Sequence, residues 1–171
     1  GKSVDAKLKI LYEVLLTDGD SIILDPDGEY APLVRALGGQ IIRVGKDPIN
    51  VAEFSADYGY VDEKQSDDPI TKKSNLILSF MEAILDAGTR FGETEKSLVD
   101  RAVRTLGESV LSGTYQQMTL VDIYDLLLQY PEPAAQQLAL ASERHIKGSF
   151  NSFAKQTRVQ ITSRLVCYDL S

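Results

Sequence analysis

The chain begins Gly1-Lys2-Ser3, and those three residue types in that order close a phosphate-binding loop of the form G-x-x-x-x-G-K-[ST]. In such a loop the glycines let backbone N–H groups wrap the phosphates. The lysine reaches the β- and γ-phosphates, and the hydroxyl ligates magnesium. The tripeptide is short, and its other reading is a remnant ahead of an ordinary helix. Its context adds weight, because a helical pattern follows at once and would point its positive pole at a triphosphate. A natural start would be Met, and the front of the loop is missing. The expectation is a piece of a larger protein, cut through its nucleotide site, that by itself neither hydrolyses ATP nor binds it tightly.

Asp25 closes the apolar run "SIILD", and an apolar strand ending in Asp has the look of a Walker B carboxylate that works with magnesium and water. It comes directly after the first helix, however, where a Walker B strand is not expected. The other reading is turn chemistry in Asp25-Pro26-Asp27-Gly28, with Asp side chains accepting backbone N–H groups. Glu29 is either a surface residue or a carboxylate that orients water. Arg144, Lys147, Lys155, Arg158 and Arg164 face a single opposing charge, Glu143, over residues 143–164, with His145 among them. A solvated face with ordinary ion pairs accounts for such a run. Two sharper readings are an arginine finger from Arg158 or Arg164 onto a neighbour's γ-phosphate, and a nucleic-acid contact with Phe150 and Phe153 as stacking partners.

The elements that must position these groups follow from periodicity. Val4, Leu8, Leu11 and Leu15 are spaced by four, three and four, which predicts a helix over residues 2–16 with that stripe as its packed face. Ile22-Ile23-Leu24 reads as a short strand covered on both faces. Pro32 opens a second helix that Gly38-Gly39 ends, and Ile41–Val44 is a second strand. Helix, strand, helix, strand predicts a parallel α/β sheet with the two early strands side by side.

Residues 45–69 carry Asp47, Glu53, Asp57, Asp62, Glu63, Asp67 and Asp68 against Lys46 and Lys64. That composition predicts a solvated loop, and its spacing does not match a calcium loop. From 70 to 147 four helical stripes follow, with Thr94 as one N-cap, Thr119 and Asp122 as a capping-box pair, and Pro133 opening the last helix. Val159 with Ile161, and then Leu165–Tyr168, read as two further strands. The organisation is a partial α/β core over 1–45 and 150–171, an acidic loop over 46–69 and an all-helical insertion over 70–149.

Composition bounds the function. The apolar share of 43% is enough for a sizeable core. The net charge of −7 makes the whole surface a poor nucleic-acid binder while leaving a local basic patch open. No stretch approaches the ~20 apolar residues of a membrane span. The lone Cys167 lies in an apolar run without His or Cys at metal-ligand spacing and reads as a small core residue.

The segments "GKSVDAKLKIL", "LDPDGEYAPLVRALGGQIIRV", "EKSLVDRAV", "IYDLLLQYPEP", "IKGSFNSFA" and "SRLVCYDL" resemble, in the same order, those of the conjugative-transfer or type IV secretion ATPases. The resemblance covers nearly the whole chain and rests on order and spacing. It implies a partial RecA-like P-loop sheet with an inserted helical subdomain. It also implies ATP and magnesium as cofactors of the parent protein, and an oligomer at the cytoplasmic, inner face of the cell membrane. There it would contact secretion-channel proteins and drive DNA or protein transfer. Gly1, Lys2 and Ser3 match the end of the family's phosphate loop, with Lys2 neutralising γ-phosphate charge and Ser3 holding magnesium. The acids of "DPDGEY" match a family segment near that loop. A second reading remains: an interaction module of a secretion apparatus with no chemistry of its own.

Overall fold

The computed structural model describes residues 2–54, 68–85 and 90–171, with the side chains of Lys2 and Ser3 outside the description. Most of the acidic stretch predicted as a loop, residues 55–67, thus lies outside the described residues. The chain divides into two compact units, one of Gly1–Pro48 with Arg158–Ser171, the other of Ile49–Thr157.

The first unit is built on helix α1 (Lys2–Leu16), strand β1 (Ser21–Asp25), helix α2 (Ala31–Ala36), strand β2 (Gln40–Arg43) and, from the far end of the chain, strand β3 (Leu165–Asp169). All pairing is parallel, in the order β1-β3-β2. The two early strands therefore share one sheet but are not neighbours, contrary to the expectation. The reason lies in burial. Leu165, Val166 and Cys167 are all buried, which suits a central strand, whereas Ile22 and Leu24 of β1 are exposed, which suits an edge. β1 is thus covered on one face, by Ile23 and Asp25, and not on both as its unbroken apolar run suggests.

On that covered face Ile23, Leu165 and Cys167 pack with Val14 and Ile10 of α1 and Val34 and Leu37 by α2. The packed face of α1 differs from the predicted stripe. Val4, Leu8 and Leu15 are exposed, and Val14 is the buried residue. Apolar side chains surround most of α1, so spacing alone could not single out the face. Val159 and Ile161 form no strand. Their segment is tied instead by the Gln40 side chain, whose Nε2 donates to Gln160 O at 2.8 Å and whose Oε1 accepts Thr162 N–H at 3.0 Å.

α2 ends as expected on its glycines, in a Schellman motif. Gly38 takes φ +69°, Gly38 N–H donates to Arg35 O, and Gly39 N–H donates to Val34 O at 2.8 Å. Gly39 is a glycine for lack of space, not for its backbone conformation. A Cβ there would stand 2.7 Å from Val34 Cγ1 and 2.8 Å from Leu165 Cδ2. Both neighbours are buried, so Gly39→Ala is expected to destabilise the sheet unit by about 1–3 kcal/mol through overpacking, measured as a lower urea midpoint.

The second unit packs α3 (Pro69–Leu85), α4 (Glu93–Leu111), α5 (Leu120–Gln129) and α6 (Pro133–Ile146) around Ile77, Met81, Val99, Val103, Leu120, Ile123 and Leu127. The Thr119–Asp122 capping box is present, with Thr119 N–H donating to Asp122 Oδ2 at 2.7 Å. Pro133 opens α6. Thr94 is not a cap. α4 starts at Glu93 with Gly92 in extended backbone before it, and Thr94 falls in the first turn.

Candidate functional site

Two sets of contacts fix the direction of α1. At its C-terminal end the Arg164 guanidinium donates to the carbonyls of Val14 and Thr17. Arg164 immediately precedes β3, and its own carbonyl accepts Ser21 N–H at the start of β1. The end of α1 therefore lies at the amino edge of the sheet. One and a half turns from its start, Lys7 Nζ stands 3.4 Å from Glu29 Oε2, beyond the end of β1. Hence α1 runs antiparallel to the strands, and its N-terminus, opened by Lys2 and Ser3, lies at their carboxyl edge. In open α/β sheets that edge is where ligands bind. The first turn of a helix also offers unpaired N–H groups and the positive end of its dipole.

Asp25 sits at this edge and is fully buried. Its Oδ1 accepts Glu29 N–H at 3.2 Å and its Oδ2 accepts Tyr30 N–H at 2.9 Å. Both oxygens are therefore engaged by the turn that leads into α2, which is the turn chemistry weighed for Asp25. In register with it, Asp169 ends β3. The Ser171 hydroxyl at 2.7 Å, helped by Ser171 N–H, holds the Asp169 carboxyl below its ordinary pKa. Gly28, at φ +71°, closes the turn where a Cβ would lie 3.1 Å from Ser171 Oγ.

Glu29 is exposed, and its neighbour Tyr30 packs into the sheet-unit core while its ring lies 5.3 Å from Lys7 Nζ. Among the described residues no three His, Cys, Asp or Glu side chains are grouped to hold a metal. Lys2 and Ser3 stand in the first turn at this edge, and Asp25 is already engaged by backbone N–H groups.

The candidate cations divide between the two units. Arg164 caps the carbonyls of α1 at the amino edge, a favourable place for a cation at a helix C-terminus. Arg158 is exposed, and its backbone N–H donates to Pro48 O. Arg144, His145, Lys147 and Lys155 belong to the helical unit. There the Arg144 guanidinium lies 4.4 Å from the centroid of Phe150, and the His145 ring lies 5.8 Å from it. Lys147 pairs with Asp125 at 2.9 Å. Phe150 is 52% exposed, whereas Phe153 meets Phe80 edge-on at 5.4 Å within the unit. The two proposed stacking partners thus differ: one faces solvent and one is part of the packing. Gly1 lies outside the described residues.

Three residues at the carboxyl edge escaped the sequence reading: Lys7, Asp169 and Ser171. A signal existed for the first. Positions 3, 7, 10 and 14 are spaced by four, three and four, like the stripe one residue along, and of these Ile10 and Val14 pack on the sheet.

No family model matches the chain, and no curated protein matches it. Among solved structures it is similar to VirB4 of Thermoanaerobacter pseudethanolicus, at a TM-score of 0.76 and 21% sequence identity, over 99% of this chain and 46% of that one. The likeness is one of fold: a parallel α/β sheet joined to a helical unit. The chain spans under half the length of that structure.

Proposed function

We propose that the chain is part of an ATP-driven motor of a conjugation or type IV secretion system, with its nucleotide end at the N-terminus of α1. The observation that carries this reading is the direction of α1, whose Lys2–Ser3 turn opens at the carboxyl edge of a parallel sheet beside the Asp25 turn. The order of motifs in the sequence and the fold shared with VirB4 support it. In this reading Gly1, Lys2 and Ser3 are the end of a phosphate loop. Lys2 neutralises γ-phosphate charge, and Ser3 holds magnesium through the bound nucleotide. ATP supplies the hydrolysable anhydride when bound. Asp25 shapes the turn, and Glu29 at its tip orients water.

Arg158 is the better-disposed candidate for a finger reaching a neighbouring subunit, since the Arg164 guanidinium is engaged by α1. The parent protein would act as an oligomer with secretion-channel proteins, moving DNA or protein at the cytoplasmic face of the cell membrane. Among the described residues no helix is long and apolar enough to cross a membrane.

A second reading rests on a different observation. Leu140 and Phe150 are exposed beside Arg144 in the helical unit, which is a surface suited to holding a protein partner without chemistry. One experiment separates the two. ATP turnover by the full-length parent protein should fall at least about a hundredfold in Lys2→Ala, the scale of losing an electrostatic anchor on transferring phosphate. A parent protein with no turnover, or with turnover indifferent to Lys2, leaves the interaction module standing.

A further inference from the structure

We infer that Lys7 is a positioning residue that sets the Glu29 carboxylate against the phosphate end of α1, an inference that rests on the motor reading above. The geometry is a closed constellation. Asp25 holds two consecutive residues through their backbones, Glu29 and Tyr30. Lys7 meets the side chains of those same two residues, Glu29 Oε2 at 3.4 Å and the Tyr30 ring at 5.3 Å. One cation thus joins the helix to a turn whose backbone is already fixed by a buried carboxylate.

Position also matters. Ser3 and Lys7 are four residues apart and share a helix face, separated by a rise of about 6 Å. Lys7 is therefore the first described cation below the end of α1 where phosphate charge would sit. A cation at that depth fixes the direction of Glu29, with which it pairs at 3.4 Å.

Stability does not explain the pair. The side chains of Lys7 and Glu29 are 33% and 41% exposed, and ion pairs this wet contribute little to folding. The Tyr30 ring restricts the ammonium further, at an energy that is also small for an accessible cation–π contact. What the arrangement does provide is orientation, and a carboxylate that directs water gains its effect from orientation. A defect in Lys7 should accordingly appear in turnover and not in folding.

The test uses the full-length parent protein and four variants: Lys7→Met, Lys7→Arg, Glu29→Gln and the double variant Lys7→Met/Glu29→Gln. Lys7→Met is expected to lower kcat by roughly ten- to hundredfold with little change in KM or thermal midpoint. Lys7→Arg should recover most of the loss. The double variant should be no slower than Glu29→Gln alone, because Lys7 acts through Glu29. Wild-type kcat in Lys7→Met, or losses that multiply in the double variant, would overturn the inference while leaving the motor reading intact. Absence of turnover in the wild-type parent protein would overturn both.

Discussion

Replacing Asp25 by alanine should lower the stability of the sheet unit by about 3 kcal/mol, seen as a lower urea midpoint and faster amide exchange in β1 and β3. The carboxylate is fully buried and accepts two backbone N–H groups, those of Glu29 and Tyr30. Hydrogen bonds to a charged acceptor contribute about 1.5–3 kcal/mol each, and Ala supplies no acceptor to replace them. The turn that follows also feeds the first residues of α2, whose Val34 is wholly buried against the sheet. With six residues α2 cannot hold itself in water, so a loosened entry propagates into that contact. Asp25→Asn keeps one carbonyl oxygen and should lose less. Unchanged stability in Asp25→Ala would mean that the carboxylate is not needed by the turn and is available for chemistry at the edge of the sheet.

The outcome at Asp25 bears on what a sequence can disclose. "DPDG" announced a turn, and the structure has one, because short-range side-chain-to-backbone bonds are encoded by neighbours. The Thr119–Asp122 cap and the Schellman end at Gly38-Gly39 were legible for the same reason. Helix α1 was legible as a helix but not in its orientation. Its apolar residues nearly encircle it, so the stripe of Val4, Leu8 and Leu15 looked as good as the true face of Ile10 and Val14. Strand order was hidden too. Nothing local to Ile22–Leu24 or Ile41–Val44 says that a strand more than a hundred residues later comes between them. The site shows the same division. Lys2 and Ser3 are a motif and can be read from order alone, whereas Lys7 joins the edge only because a helix face brings it to Glu29. Arg164 reads in the sequence as one charge of a basic run, yet its geometry is a helix cap formed across nearly the whole chain.

In the helical unit the largest polar effect is expected at Asn50. Asn50→Ala should cost about 3 kcal/mol, measured as a lower urea midpoint together with faster exchange of the Ala52 amide. The Asn50 side chain is buried. Its Nδ2 donates to Met118 O at 2.8 Å, and its Oδ1 accepts Ala52 N–H at 3.1 Å. Truncation strands a carbonyl and an N–H in a region where Met118 and Ala52 are themselves fully buried, and each stranded group costs about 1–3 kcal/mol. Asn50→Asp tests the account more severely. It keeps the acceptor for Ala52 but turns a negative charge toward the Met118 carbonyl, so it should be at least as damaging as Ala. If Asn50→Asp matched wild type, the amide would not be the tie.

A neighbour repeats the device. Gln117 accepts Phe54 N–H at 2.7 Å and donates to Phe54 O at 2.8 Å, so its side chain pairs with backbone as a strand would. Two amides, Asn50 reaching forward 68 residues and Gln117 reaching back 63, thus hold residues 50–54 to the turn before α5. Loss of either should loosen the same segment, so Asn50→Ala and Gln117→Ala together should cost less than the sum of the two.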